Sequence, residues 1–523
     1  MEDKPVLSRH LILPDISISQ VNSDNSVTSF DYKQICEMID FWKVLLWEKY
    51  NARPGHKAVV EFNLTGVYYY SAVFACWELG ITTIVDWVHA KNKTQAHSKY
   101  FRTHGQIDYA IVYSEQFNPD SAFYYEYDCL RTELNCNYVI TEKEFNDYEI
   151  KDPNIFNNIA HKIFAEPDTD AIWTATSGST FDPKQQKVTH KETVLQARRL
   201  VKHLEIQEDD NILHNSNLHH GASACYHFLP SLIQSKNHFI QDIYYPGKFE
   251  KGVQTFPSIG KGFGERLYNL VNDEKINRLF LYTPNLLNYF LLNSEPYSHR
   301  VDITTLYYCP RKQIQLAKDK NINLIKSVFG DTTIGYGFLV KSVFPMSENL
   351  DTYEPSKISA KLDDFFDFKI DENKHLYISI PGLGKTDWKT SKDCFEQKDN
   401  EYYFLGRGTD YRMGDEWVSL AEVESKLLDC FGGFPDEHAT VVIDNEEQQI
   451  YLVIWNENKD AEKKFIKWMK TNYDKAKVNQ IARHLKKEDY MGARKVSRSH
   501  LRDYFRNTEG RIPANFLPTW LIS

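Results

Sequence analysis

Residues 173–192 read WTATSGSTFDPKQQKVTHKE. Thr, Ser and Gly crowd the first half, Pro183-Lys184 follows, and Thr189-His190 closes the run. The start, AIWTAT, suits a buried strand. The end, THKETVLQARRLVKHL, sets apolar residues at helical spacing behind a capping-box pattern from Thr189 to Glu192. This predicts a loop over residues 177–186 between a strand and a helix. Hydroxyls and backbone N–H groups in such a loop suit a polyanion, and Lys184 can neutralise its charge; a solvated Ser/Thr turn is the plain alternative. It is not a Walker loop, because Gly-Lys-Ser/Thr is missing.

Outward from this stretch, short apolar runs alternate with helical patterns. KAVVEFN, ITTIVDW and IDYAIVYS read as strands, VYYYSAVFACWELG as a helix closed by Gly80, and RLFLYTP and NLIKSVFG as later buried strands. Strands separated by helices imply crossover connections and parallel sheets. The pattern changes within GRGTDYRMGDEW (406–417), beyond which come the helix VSLAEVESKLLDCFGGF, a hairpin ATVVIDNEEQQIYLVIW and charged amphipathic helices. The expected fold class is α/β: a large N-terminal domain of mainly parallel sheets over residues 1–409, and a small mobile α+β domain over residues 410–523.

Composition narrows the function. A chain of 523 residues exceeds one ordinary core, and 42% hydrophobic with 26% charged residues is the make-up of a soluble globular protein. A formal charge of −10 argues against a polynucleotide partner, although the basic cluster KKEDYMGARKVSR keeps a phosphate contact open. The eight cysteines are scattered without a Cys-x-x-Cys pair, which suits a reducing cytoplasm, and neither a secretory leader nor a membrane span is expected.

The register of SGSTFDPKQQKVTH resembles the signature of the adenylate-forming superfamily, which holds acyl-CoA synthetases, luciferases and peptide-synthetase adenylation domains. Ser177, Gly178, Thr180, Pro183, Lys184, Thr189 and His190 fall in place, while Phe181 and Gln185 replace two glycines. Further segments follow in that family's order: LYTPNLLNYFL, LYYCPRKQI, VFGDTT, TSKDCFEQKDNEYYFLGRGTD, VSLAEVE and ARKVSRSHLRDYF. The resemblance spans roughly residues 55 to 505.

What the resemblance implies is ATP-dependent activation of a carboxylic acid to an acyl-adenylate, with pyrophosphate release and then acyl transfer. Coenzyme A or a phosphopantetheine thiol is the implied acceptor; a carrier protein, an amine or a hydroxyl is the alternative. Ser177, Ser179, Thr180 and Lys184 would hold the pyrophosphate end of ATP, with Gly178 giving backbone access. Phe329 and Gly330 would lie at the adenine, Thr332 at the α-phosphate, Asp393 on the ribose hydroxyls and Arg407 beside ribose and phosphate. Lys495 would bridge carboxylate and α-phosphate, and Asp410 would be the hinge of the small domain. Each has a plainer reading: Lys495 as part of a solvated basic face, Asp393 as a turn residue, Phe329 as core.

One departure concerns the metal. Where the family has a glutamate for Mg2+, this chain has Thr333, with Asp331 two residues before it. A hydroxyl binds a hard dication less strongly than a carboxylate, so either metal binding is weaker, another residue supplies it, or turnover is impaired. The last outcome would make the protein a nucleotide-binding regulator. NSNLHHGASACYHF falls where the family has an acyl-pocket segment, so His219 and His220 are candidate ligands for a polar acid or simply pocket wall. Tyr307, Tyr308 and Cys309 are candidates for a second wall, suited to a small or aromatic acid.

Overall fold

The computed structural model describes residues 5–21, 26–60, 66–84, 105–112, 131, 135–150, 153–175, 185–214, 224–241, 249–250, 253–254, 261–281, 284–306, 308–331, 336–358, 364–399, 401–407, 412–413, 416–432, 438–444, 447–473, 478, 480–483, 485–487 and 498–508. Among them, no helix is long and apolar enough to cross a membrane.

Two large sheets carry the N-terminal part. The first has the spatial order β6-β5-β3-β4-β7-β8 and is built from β3 (Lys57–Val60), β4 (Thr82–Ile84), β5 (Ile107–Val112), β6 (Cys136–Thr141), β7 (Asp170–Ala175) and β8 (Gln185–Thr189). It is parallel except for its last pair. The second contains β1 (Ser17–Val21), β2 (Val27–Asp31), β9 (Asn211–His214), β10 (Asn237–Gln241), β13 (Arg278–Leu281), β14 (Asp302–Leu306), β15 (Leu324–Asp331) and β16 (Tyr336–Val343), in the order β16-β15-β14-β13-β9-β10-β1-β2. Here only the pairs at the two edges are antiparallel.

A third, antiparallel sheet orders β17 (Lys357–Ile358), β21 (Glu401–Arg407), β20 (Lys385–Lys398), β19 (His375–Ile380) and β18 (Asp367–Ile370) side by side. Two ribbons, β11–β12 (Phe249–Glu250, Val253–Gln254) and β22–β23 (Arg412–Met413, Glu416–Trp417), stand apart. The smaller C-terminal domain has its own sheet of β24 (Ala439–Asp444), β25 (Gln449–Ile454) and β26 (Gln480–Ala482).

Local chemistry accounts for the helices that matter below. α1 (Tyr32–Lys49) starts on a reciprocal capping box between Asp31 and Gln34. α2 (Val67–Glu78) is apolar almost all round, so it is buried on nearly every face, and it ends where Gly80 takes φ +72° with Pro54 packed against it. α3 (His190–Leu204) opens on the expected box between Thr189 and Glu192. α4 (Pro284–Asn293) and α5 (Arg311–Asp319) cross between strands of the second sheet. In the C-terminal domain, α6 (Leu420–Phe431) stops at Gly432, φ +73°, and α7 (Lys459–Asn472) and α8 (Arg498–Thr508) complete the layer.

One local expectation is corrected. The hydroxyl-rich loop does not run from strand to helix. Gln185 and Gln186 belong to β8, which pairs antiparallel with β7 in the register Ala175↔Gln185, so residues 176–184 join two strands of a hairpin and α3 follows the second strand. Alternation explains it: Val188 is buried while Lys187 faces water, a two-residue period that a helix start would not produce.

Candidate active site

Five segments far apart in sequence meet in one apolar cluster. It contains Val188 of β8, Tyr308 and Phe329 at the carboxyl ends of the second sheet, Phe395 and Phe404 of the β20–β21 hairpin, and Ala421 of α6. Phe404 is its centre, with ring centroids 5.9 Å from Phe329, 5.5 Å from Phe395 and 6.2 Å from Tyr308. The strand after the hydroxyl-rich loop, the end of β15 and the hairpin bearing Asp393 and Arg407 are thereby fixed to each other through a shared core. The carboxyl ends of parallel strands are where open α/β sheets bind ligands.

The end of β15 is shaped by close approach. A bulge interrupts the β15–β16 ladder between Phe329 and Gly330, and Gly330 then faces Gly337. A Cβ on Gly330 would come within 2.7 Å of the Tyr226 hydroxyl and 3.0 Å of its ring. Tyr226 lies in a π-helical turn (Ala224–Phe228) and is itself buried in the second core, so its ring cannot swing away cheaply. Only glycine fits there.

The β20–β21 hairpin also carries a bulge. Asp393 faces Arg407 and Cys394 faces Gly406, with a bulge immediately after Cys394. Gly406 has φ +151°, a conformation that side-chain-bearing residues seldom take. Asp393 is 4% exposed, and its backbone N–H donates to Ser391 Oγ at 3.1 Å.

α3 ties these parts together. At its first turn, the Glu192 carboxylate accepts the Thr189 N–H at 3.2 Å and also pairs with Lys385 at the start of β20. Burial and the nearby Lys385 hold Lys389 below the usual lysine range. His190 is fully buried; its Nδ1 accepts the Leu7 backbone N–H at 3.2 Å, and burial lowers its pKa to about 4. Two turns on, Gln196 Nε2 and Arg199 Nη1 both donate to the Gly337 carbonyl, at 2.7 and 3.2 Å.

The C-terminal domain docks through α6. Glu422 accepts hydrogen bonds from Arg311 Nη2 at 3.2 Å and Ser356 Oγ at 3.1 Å, and the Arg311 backbone N–H donates to Ser425 Oγ at 3.2 Å.

No protein-family model matches the sequence, and no curated protein matches it. Solved structures do. McyG A-PCP, complexed with phenylalanyl-adenylate, superposes with a TM-score of 0.70 at 14% identity over 96% of this chain and 94% of that one. The anthranilate CoA ligase AuaEII, in complex with anthranoyl-AMP, gives 0.69 at 12% identity over 94% of each chain. O-succinylbenzoate coenzyme A synthetase (MenE) from Bacillus subtilis, in complex with ATP and magnesium ion, gives 0.68 at 15% identity over 95% of this chain and 98% of that one. This is the adenylate-forming fold.

Within the adenylate-forming fold, the sequence-derived candidates divide into those the structure describes and those it does not. Phe329 is 2% exposed and packed on Phe404; Gly330 sits at the bulge; Asp393 and Arg407 face each other across a hairpin. Asp331 is described only as the last residue of β15, opposite Tyr336. Ser177, Gly178, Ser179, Thr180, Lys184, His219, His220, Tyr307, Thr332, Thr333, Asp410 and Lys495 lie outside the described residues. Of the second wall expected for an acid pocket, Tyr308 belongs to the shared cluster and Cys309 to the core beneath the second sheet, with Sγ 3.6 Å from Ser327 Oγ. Burial pushes the Cys309 thiol up to about 11.

Sequence reasoning missed Gln196, Arg199 and Tyr226. A signal was available for Gln196, because it stands one turn from both Glu192 and Leu200 on the face of α3 that points inward.

Proposed function

We propose that this protein activates a carboxylic acid with ATP and then transfers the acyl group. A carboxylate oxygen attacks the α-phosphorus, the bond from that phosphorus to the bridging oxygen breaks, and pyrophosphate leaves with the electron pair. The observation that carries this reading is the shared cluster, which brings the strand after the hydroxyl-rich loop, the end of β15 and the Asp393–Arg407 hairpin together in an adenylate-forming fold. Reactions of this type are accelerated mainly by positioning and charge stabilisation, which such an arrangement can supply.

In this reading Ser177, Gly178, Ser179, Thr180 and Lys184 hold the pyrophosphate end, and Thr332 binds the α-phosphate. Phe329 and Gly330 border the adenine, Asp393 accepts from the ribose hydroxyls, and Arg407 stands beside ribose and phosphate. Residues 1–409 form the nucleotide-binding domain. Residues 410–523 form a lid that turns about Asp410 and presents Lys495 to the carboxylate and α-phosphate. His220 belongs to the acid site.

Asp331, with the weaker hydroxyl oxygen of Thr333, would hold magnesium. A magnesium ion bound together with a nucleotide needs only one or two protein oxygens, the phosphates and water supplying the rest. When bound it neutralises phosphate charge. The proposed acceptor is a thiol, that of coenzyme A or of phosphopantetheine on a carrier protein, and the compartment is the cytoplasm.

The test is a panel of carboxylic acids with ATP and Mg2+, read as AMP and pyrophosphate release, followed by trials of thiol, carrier-protein, amine and hydroxyl acceptors. Release with no acid in the panel would sink the reading. Lys495→Ala should abolish ATP–pyrophosphate exchange while leaving single-turnover transfer from a preformed adenylate largely intact; unchanged exchange would remove Lys495 from its role.

A further inference from the structure

The smaller C-terminal domain packs a core of its own, with Val423 and Leu427 of α6 set among residues of β24 and β25 and Phe465 of α7. Several of the bonds that fasten it to the rest of the protein converge on one side chain. Both oxygens of Glu422 are taken across that boundary. Oε2 accepts from Arg311 Nη2 at 3.2 Å, and Oε1 accepts from Ser356 Oγ at 3.1 Å and from its backbone N–H at 3.4 Å.

These donors are held in place by the N-terminal part itself. Lys341, 8% exposed, donates to the carbonyls of Glu354 and Pro355 at 2.8 and 3.4 Å, and the Ser356 carbonyl accepts the Phe404 N–H at 2.8 Å. Arg311 opens α5 behind Pro310. The result is a socket of donors that fits one carboxylate. A neighbouring bond reports whether that socket is filled. As the first residue of α5, Arg311 has no partner for its N–H within its own helix. The acceptor is Ser425 Oγ at 3.2 Å, on α6 one turn beyond Glu422 and fully buried. That bond exists only while the C-terminal domain is docked.

We infer that Glu422 is a positioning residue: seated in this socket, it selects the docked pose of the C-terminal domain and so sets the balance between acid activation and acyl transfer. The link to the two steps rests on the proposed function, in which Lys495 is presented for the first step and is not needed for the second. A change of pose therefore alters the two steps unequally, whereas a loss of stability would lower both together.

The experiment measures hydrogen exchange, read by mass spectrometry at residue level, and the two half-reactions, on full-length wild type, Glu422→Gln and Ser356→Ala. Glu422→Gln keeps the size of the side chain and removes its charge. Exchange at the Arg311 N–H should speed about tenfold, the scale of one charge-assisted bond, while the amides of the β24–β25 hairpin stay as protected as in wild type. ATP–pyrophosphate exchange and single-turnover transfer from a preformed adenylate should separate, their ratio moving by up to about tenfold. Ser356→Ala, which alters the socket from the other side, should act in the same direction and less; it carries the test if Glu422→Gln does not fold.

Unchanged exchange at Arg311, or half-reactions that change by the same factor, overturns the inference. Faster exchange in the β24–β25 hairpin overturns it too, because the carboxylate would then stabilise the domain itself. A wild type without ATP–pyrophosphate exchange for any acid would instead count against the proposed function, and exchange at Arg311 would still decide whether Glu422 holds the docked pose.

Discussion

Around Glu78 burial is met with charge; around His214 it is met with neutrality. Glu78 is fully inside the protein, yet Arg9 and Lys43 reach it at 2.7 and 2.8 Å, Arg9 also meets Asp40 at 2.6 Å, and Lys43 spends its remaining protons on the carbonyls of Ala160 and Lys162. Burial alone would raise the Glu78 pKa, but the bonds from Arg9 and the charge of Lys43 outweigh it and hold the group ionised. At the carboxyl end of β9 the same burial surrounds His214, His227 and His238, and among the described residues no carboxylate acts on them. Their pKa values drop, to about 3 for His227 and about 4 for His238, chiefly through burial, with Arg278 adding to the effect on His227. Hydrogen bonding then assigns the tautomers. His238 Nε2 must donate to the Ser235 carbonyl at 2.9 Å, so its Nδ1 accepts from His214 Nε2 at 2.8 Å, which leaves His214 Nδ1 as a lone pair without a donor. A buried group keeps its charge only where partners replace the lost water.

The contrast breaks most easily at Glu78. Glu78→Gln leaves two buried cations facing a neutral amide, and roughly 3–5 kcal/mol of stability should go, read from urea midpoints at pH 7. A loss under about 1 kcal/mol would mean that the network is already hydrated and not a buried ionic cluster.

The histidines sharpen the contrast through pH. Their folded pKa values lie below the unfolded value of 6.5, so the unfolded chain binds more protons in between. Their contribution is therefore complete above pH 6.5 and is lost as pH falls toward 4, at up to about 1.4 kcal/mol per pH unit for each ring. Glu78, whose folded pKa is lowered from 4.5, loses its share only below that range. His227→Leu removes a fully buried ring stacked 4.8 Å from Phe280. It should recover about 2 kcal/mol of the acid loss between pH 6.5 and 4.5 with little change at pH 7.5. An unchanged slope would show that His227 is already protonated or solvent-accessible.

Neither cluster was legible in the sequence. Arg9, Asp40, Lys43 and Glu78 are spread over seventy positions of ordinary charged residues, and no spacing rule links a residue near the N-terminus to the last turn of α2. Periodicity did reveal what it can reveal: α2 and its Gly80 stop, the Thr189–Glu192 cap, and the hairpin of β24 and β25. It misplaced the end of the hydroxyl-rich loop because two glutamines carry no strand signal of their own; only pairing with β7 makes them extended. For the site, the order of motifs pointed to Phe329, Gly330, Asp393 and Arg407, but their union through Phe404 is a tertiary fact. Phe404 has no special spacing in FLGRG, and what marks it is three neighbouring rings.

The smallest effect separates charge from capping at two helix starts built alike. α1 has Gln34 returning a bond to the Asp31 N–H at 2.9 Å; α3 has Glu192 returning one to Thr189 at 3.2 Å while also pairing with Lys385. Gln34→Ala should cost about 0.5–1 kcal/mol, a capping bond alone. Glu192→Ala should cost up to about 1 kcal/mol more, and Glu192→Gln, which can keep the cap, should isolate that difference. Because the Lys385 side chain is 40% exposed, the difference should shrink between 0.05 and 0.5 M salt while the Gln34→Ala cost stays constant. If Glu192→Gln matches wild type at low salt, Lys385 contributes nothing to anchoring α3, and that helix is held at its start by His190 and the capping bond alone.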